Sequence, residues 1–263
     1  MSATMPSGHY IPGNSLIHRL NPGVKMGCLF LLMAGVISAS GITGYALVIV
    51  ALVLIIWISQ LPLGAVFASM VRLKYFFIFI FLLNALFYGE GDPLWGWGIF
   101  TITLEGPLQG ARVVFNVLCI MTLANVLTGT TPPMDMTAGL TSIMKPLKIF
   151  RLPVEDIAMI ISVALRFIPS FLEEVDLIRK AQTARGAKFE SKKLRDRASS
   201  FMPLVVPIFL SAFRRADELA LAMEARGYRN ARNRTRRARV RLKRIDLAAL
   251  TGSLAIVIFQ ILF

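Results

Sequence analysis

From Met26 to Val71 the chain runs for 46 positions without a charged residue. One membrane span takes about 20 apolar residues, so this run predicts two spans, with their turn at Gly41-Ile42-Thr43-Gly44. Arg72 and Lys74 precede a third apolar run, Tyr75 to Tyr88, which is short unless both cations snorkel to lengthen it. Val113 to Met134 is uncharged again and predicts a fourth span. The last 17 residues, Leu247 to Phe263, predict a fifth. The pattern therefore reads as an all-α integral membrane protein with about five spans.

Between the fourth and fifth spans the period changes. Ile157, Ile161, Ala164, Ile168, Phe171, Val175 and Ile178 recur every three or four positions. Glu155, Asp156, Glu173, Glu174, Arg179 and Lys180 fill the other faces. That spacing predicts a long amphipathic helix, with Pro169 as a kink. It stops at Ala184-Arg185-Gly186, and a charged linker, Ala187 to Ser200, follows. A second amphipathic helix carries Ile208, Ala212, Ala216, Leu219 and Met223 on one stripe and stops at Ala225-Arg226-Gly227.

Composition agrees with lipid as solvent: 56% of the 263 residues are hydrophobic and 17% charged, against about 25% charged in soluble domains. The net charge of +14 is concentrated. Residues 145–244 hold 24 of the 29 Lys and Arg and 10 of the 15 acids, which is the whole excess. Basic loops face the cytoplasm. Arg19, Lys25, Arg72, Lys74 and the 145–244 block are expected inside. The 41–44 turn and the acidic segment 89–107, with Trp95 and Trp97 as an interfacial anchor, are expected outside. Arg112 is the one misfit; it pairs with Glu105 or faces a partner. The expected divisions are a cytoplasmic start over 1–24, four spans over 25–131, a cytoplasmic helical domain over 132–245 and the last span over 246–263. The N-terminus is then inside and the C-terminus outside.

One tripeptide closing two helices, 41 residues apart, is the feature that calls for a function. A single Ala-Arg-Gly is an ordinary helix end: Arg complements the dipole and Gly supplies a left-handed cap. Two of them in one basic block place two planar, permanently charged forks at helix tips, suited to carboxylates on partner proteins.

These features resemble the transmembrane T component of energy-coupling factor transporters, the family that includes the Q subunits of cobalt and nickel importers. His18-Arg19-Leu20-Asn21-Pro22-Gly23-Val24-Lys25 is similar to its N-terminal His-Arg-Leu-Asp-Pro-Arg-Thr-Lys stretch, departing at Asn21 and Gly23. Ala164-Leu165-Arg166-Phe167-Ile168-Pro169 resembles its Ala-Leu-Arg-Phe-hydrophobic-Pro segment. Ala184-Arg185-Gly186-Ala187 and Ala225-Arg226-Gly227-Tyr228 resemble its two signature motifs. The resemblance implies a scaffold in the plasma membrane of a prokaryote. Two cytoplasmic ATPases would bind ATP and Mg and receive the two coupling helices through their terminal arginines, in acidic grooves. A small membrane subunit would capture the cargo, vitamins or related micronutrients; the start His9-Tyr10-Ile11-Pro12-Gly13 resembles the vitamin-type branch, and cobalt or nickel is the alternative. The stripes Ile157, Ile161, Ile168, Pro169 and Ile208, Ala212, Leu219, Met223 would pack against one another and that subunit.

Other functions find less support. There is no Gly-x-x-x-x-Gly-Lys-[Ser/Thr] phosphate loop, so ATP hydrolysis is not expected of this chain, nor any cofactor or metal of its own. An intramembrane enzyme wants acids or histidines on its spans, and the apolar runs hold none. Cys28 and Cys119 read as small packing residues. Asn84, Asn116 and Asn125 read as bonds between helices rather than a channel stripe. From Arg226 to Arg244, 10 of 19 residues are basic and none acidic. Lying just before a span, that run reads as an anchor on anionic lipid rather than a nucleic-acid arm.

Overall fold

A computed structural model describes residues 10–87, 93–97, 100–103, 105–150, 153–187, 189, 191, 193–228 and 243–262. The chain divides into two compact units, Met1–Ile143 with Val240–Phe263, and Met144–Arg239. Residues 133–143 thus pack with the first unit, although they follow the expected boundary at 132.

In the first unit α1 (Pro22–Ile37) starts at a built cap. Asn21 Oδ1 accepts from Gly23 N–H at 3.0 Å, and Pro22, which has no N–H to satisfy, takes the first helical position. The turn to α2 (Gly41–Ser59) falls at Ser38–Ser40, not at 41–44 as expected. Gly41, at φ +64°, makes the reversal. Gly44 is already helical and serves close packing instead: its carbonyl accepts from Gln260 Nε2 at 3.1 Å, and the Ala39 backbone lies against it.

Gln60, at φ 56°, ends α2, and Pro62 precedes α3 (Leu63–Arg72). The uncharged run expected to hold two spans therefore holds a third, short helix. α3 and α4 (Lys74–Phe87) meet at Leu73 with a 56° bend, as a broken span or a re-entrant loop. Strands β1 (Pro93–Trp97) and β2 (Phe100–Thr103) form an antiparallel hairpin, Trp97 paired with Phe100, where only a loop was expected. The rest of the described structure is helical, as expected. Glu90, Asp92 and most of the run Arg226–Arg244 lie outside the described residues.

α5 (Glu105–Thr130) starts eight residues before the expected fourth span and stops four before its expected end, where Pro132 opens α6 (Pro133–Met144). It is the central post, touching α1, α2, α3 and α4. Gly106 and Gly110 let it approach α4: a Cβ would sit 2.9 Å from Ala85 O and 3.0 Å from Phe81 O. Small residues four apart are how helices close on one another where lipid removes the hydrophobic drive. Val36, Ala39, Val48, Cys119 and Leu123 form the core beside it, so Cys119 does pack as expected. Outward side chains remain large and apolar; Ile42 is 90% exposed and Trp57 78%. By length and composition α2, α5 and α9 (Arg244–Leu262) can each cross a membrane, and the bent α3–α4 pair makes a fourth candidate. The expected first span, α1, has 16 residues, about 24 Å against a hydrocarbon core of about 30 Å.

Asn125 Nδ2 bonds Val66 O at 2.8 Å between α5 and α3, as expected of a polar residue on a span. Asn84 instead bonds Ile80 O on its own helix, and Asn116 Oδ1 is buried without a hydrogen-bond partner among the described residues. Arg112 and Glu105 are both exposed on α5, two turns apart, and form no ion pair among the described residues.

The resembling stretch at His18–Lys25 proves to be a clamp. Lys25 is 6% exposed, and its Nζ donates to Thr130 O and Thr131 Oγ1, both at 3.1 Å, and to His18 O at 3.5 Å. His18 bonds Ser15 Oγ at 2.6 Å and Ile11 O at 3.1 Å, and Ile11 N–H reaches Gly129 O at 3.0 Å. Asp246, 2% exposed, accepts from Asn21 N–H at 2.9 Å and Lys243 N–H at 2.8 Å. The start of α1, the end of α5 and the start of α9 are thereby tied. Asp246→Ala would remove the acceptor from two part-buried hydrogen bonds, a loss of about 1–3 kcal/mol in all. It is expected to lower the melting temperature of the detergent-purified protein. Asp246→Asn keeps one acceptor and should lose roughly half as much. Equal melting of Asp246→Ala and wild type would show that the clamp does not hold the unit.

Candidate functional site: two arginine-tipped helix ends

The second unit is built on α7 (Val154–Ala184) and α8 (Leu194–Ala225), preceded by a 3-10 turn at Lys145–Phe150. Each helix is more than 30 residues long and presents acids on several faces, so packing rather than propensity must hold it. Pro169 lies inside a continuous α7, as Pro203 and Pro207 do in α8. The linker is shorter than the expected 187–200, because α8 begins at Leu194. Its Phe189, 9% exposed, folds against Phe201 edge-on at 5.8 Å. An apolar residue buried within a charged linker was not legible in the sequence.

The two ends share one geometry. Arg185 and Arg226 are the C-caps, at φ −86° and −84°. Gly186 and Gly227 follow at φ +91° and +70°. Gly186 N–H bonds Thr183 O at 3.0 Å and Ala187 N–H bonds Gln182 O at 3.0 Å. Gly227 N–H bonds Glu224 O at 2.8 Å and Tyr228 N–H bonds Met223 O at 3.0 Å. This pair of bonds is the Schellman motif, which returns the last free carbonyls of the helix to bonding and needs the left-handed residue that Gly provides. Both arginines are exposed and have no acidic partner among the described residues. The ends differ in one respect: Tyr228 lines a shallow hollow with Leu219, Met223 and Glu224 at the tip of α8.

Arg215, absent from the expected site residues, joins the two helices. Its Nη1 donates to Ser170 Oγ at 2.8 Å, and its Nη2 lies 3.5 Å from Glu174 Oε2. That carboxylate oxygen makes no hydrogen bond, so the contact is an ion pair without hydrogen-bond geometry. The guanidinium also lies 5.5 Å and 4.9 Å from the ring centroids of Phe167 and Phe171, within cation–π range. A second contact, Gln182 Nε2 to Pro203 O at 3.4 Å, lies twelve residues on along α7 and twelve back along α8. The helices are therefore antiparallel, and their arginine tips point to opposite ends. From the crossing at Ser170 and Arg215, the tips lie 15 and 11 residues away, which at 1.5 Å per residue sets them about 35–40 Å apart.

The expected packing stripes are incompletely covered. Ile157, Ile161, Ile208, Ala212, Leu219 and Met223 are half-buried, while Ile168 and Pro169 are exposed. A second apolar face of α8 is barer still: Met202, Phe209 and Phe213 are 68%, 59% and 64% exposed.

The family model described as Cobalt transport protein (CbiQ) matches residues 13–237, from the clamp through both arginine tips. The chain belongs to this family. Relatives within the family's reach carry the name Energy-coupling factor transporter transmembrane protein EcfT. The one from Thermosediminibacter oceani is 41% identical over 251 residues, 95% of this chain and 94% of that protein. That from Limosilactobacillus fermentum is 38% identical over 263 residues, 100% of this chain and 97% of its own. That from Bacillus subtilis is 37% identical over 236 residues, 90% and 89%. α9 falls outside the CbiQ match but inside the alignment to the Limosilactobacillus protein.

In this CbiQ-family chain the glycines should matter through their dihedrals alone, since a Cβ at Gly186 or Gly227 meets nothing within 4 Å. Gly186→Ala and Gly227→Ala are each expected to cost about 1–2 kcal/mol at the cap. The amides of Ala187 and Tyr228 should then exchange hydrogen faster, while mid-helix amides keep their rates. Unchanged exchange at both amides would mean that the caps do not depend on glycine.

Proposed function

We propose that this chain is the transmembrane energy-coupling scaffold of an energy-coupling factor importer and performs no catalysis itself. The observation that carries the reading is the duplicated helix end: two exposed arginines, with no acidic partner among the described residues, on matching Schellman caps about 35–40 Å apart at opposite ends of one antiparallel pair. One small partner cannot engage both. Two subunits can, each presenting carboxylates to one fork. Two cytoplasmic ATPases that bind ATP and Mg meet that requirement. Their closure would displace the two tips together, and a pair pinned at Arg215 would carry the movement to its exposed apolar faces. A small substrate-binding membrane subunit would cover those faces and deliver a vitamin or related micronutrient. The names of the relatives and the fit of the two tips support this reading. Inside-positive charge supports the orientation, with the second unit and the N-terminus cytoplasmic and the C-terminus outside.

Lys keeps the charge of Arg but not its planar fork. If the arginines are docking groups, Arg185→Lys and Arg226→Lys should each weaken co-purification of the ATPases. Truncating one partner of a buried interfacial charge pair costs about 2–5 kcal/mol. Arg185→Ala with Arg226→Ala should therefore lose the ATPases and transport, yet still insert in the membrane. Full ATPase recovery with the double Ala variant would reduce the tips to helix caps.

Orientation has its own check, in a background with Cys28 and Cys119 replaced by Ala. Glu105→Cys should react with an impermeant thiol reagent in intact cells, and Ser191→Cys should react only after lysis. The reverse pattern would overturn the orientation without touching the docking test.

A further inference from the structure

The first unit holds a cavity of about 390 Å³ that has no part in the chemistry of the helix tips. α2 and α9 wall it, and α1 and α5 lie behind. It runs from Leu20 and Ile245 at one end to Leu32, Ala51 and Ile256 at the other. Ile245 to Ile256 is eleven residues of α9, about 16 Å of depth. That is about half the thickness of a bilayer's hydrocarbon core, or one leaflet.

The walls are almost wholly apolar. Lys25 is the one charged residue among the described lining residues, and its ammonium is already bonded to Thr130, Thr131 and His18, so it offers the slot only its methylenes. On the α9 side Gly252 leaves the slot open: a Cβ there would meet nothing within 4 Å. The mouth at Leu20 and Ile245 is of opposite character. Arg19, Lys243 and Arg244 flank those two residues, are exposed, and have no ion pair among the described residues. Asp246, next to Ile245, is buried with its oxygens bonded to Asn21 N–H and Lys243 N–H, while Asp135, exposed in the first turn of α6, acts electrostatically on Lys25.

Depth and charge decide between occupants. A slot one leaflet deep, apolar along its length and cationic at its mouth, is complementary to a lipid with an anionic headgroup. We propose that it holds one acyl chain of an anionic phospholipid, with the phosphate between Arg19 and Arg244. Assigning that lipid to the cytoplasmic leaflet rests on the orientation proposed above; the site itself does not. The lipid fills the gap between α2 and α9 that no side chain among the described residues fills.

The test uses the intact complex, co-purified with its ATPases in mild detergent and equilibrated with equal phosphatidylglycerol and phosphatidylcholine. Native mass spectrometry is expected to find phosphatidylglycerol retained over phosphatidylcholine. Ala249→Leu with Gly252→Leu, which build into the slot, should abolish retention. Arg19→Gln with Arg244→Gln should reduce the preference for phosphatidylglycerol by about fivefold per arginine. ATPase recovery should be unchanged in both variants, which shows them folded and separates failure here from failure of the coupling role. A second measurement needs no variant. Phosphatidylglycerol with a diazirine on its acyl chain, in vesicles, should label Leu127 and Ile256 inside the slot as well as the outward-facing Trp57. Equal retention in wild type and the filled variant, or labelling confined to outward residues such as Trp57, would mean ordinary surrounding lipid and overturn the proposal. Loss of a membrane partner from the filled variant, with lipid retention unaltered, would give the slot to that protein and overturn it equally.

Discussion

Backbone polar groups at the ends of membrane helices must find partners within the protein, because lipid offers none. Lys25 and Asp246 meet that demand for three helix ends at once. Lys25 takes the last carbonyl of α5 and a hydroxyl beyond it; Asp246 takes the amide before α1 and the amide before α9. A buried charge is costly unless surrounded by bonds, and each of these two is. Their directionality fixes where α1 and α9 stand against α5. The remaining contacts, Gly106 and Gly110 on α4 and the core around Leu123, add closeness to an arrangement already oriented.

The second unit follows the same rule at water-exposed helix ends. There the Schellman bonds close the last carbonyls, and the glycine that makes them possible leaves the preceding arginine at the tip. Cap and proposed docking group are thus adjacent consequences of one tripeptide. The structural role explains the glycine; it leaves the arginine unexplained, since nothing among the described residues pairs with it. A partner's carboxylate is the natural complement to a planar fork on a rigid helix.

Arg215 gives this unit its geometry. A guanidinium stacked on two phenylalanine rings, bonded to Ser170 and paired with Glu174, joins α7 and α8 at one crossing. Large apolar side chains on α8 stay uncovered. A pair joined at Arg215 and at Gln182, with large apolar side chains left exposed on α8, suits the proposed transfer of movement from its tips to another membrane protein. An extensively packed pair would suit it less well.

Much of this was legible in the chain. Uninterrupted apolar runs dictated membrane helices, because lipid tolerates nothing else along a helix's outer face. The 3.6-residue period dictated α7 and α8, and Ala-Arg-Gly dictated where they stop, since a left-handed residue suits glycine above all others. What the sequence could not place were features set by contacts far apart in the chain. Gly44 read as a turn because its partner, Gln260, lies 216 residues away. The α3 helix was hidden in an uncharged run whose breaks are a left-handed Gln60 and a proline. Arg215 read as one cation among many until Ser170, Glu174 and the two rings came round it. The clamp was visible only as a motif, because its meaning lies in Asp246 reaching Asn21. Local pattern determines which segments are helical and where they end; a buried polar bond between distant residues decides how they are assembled.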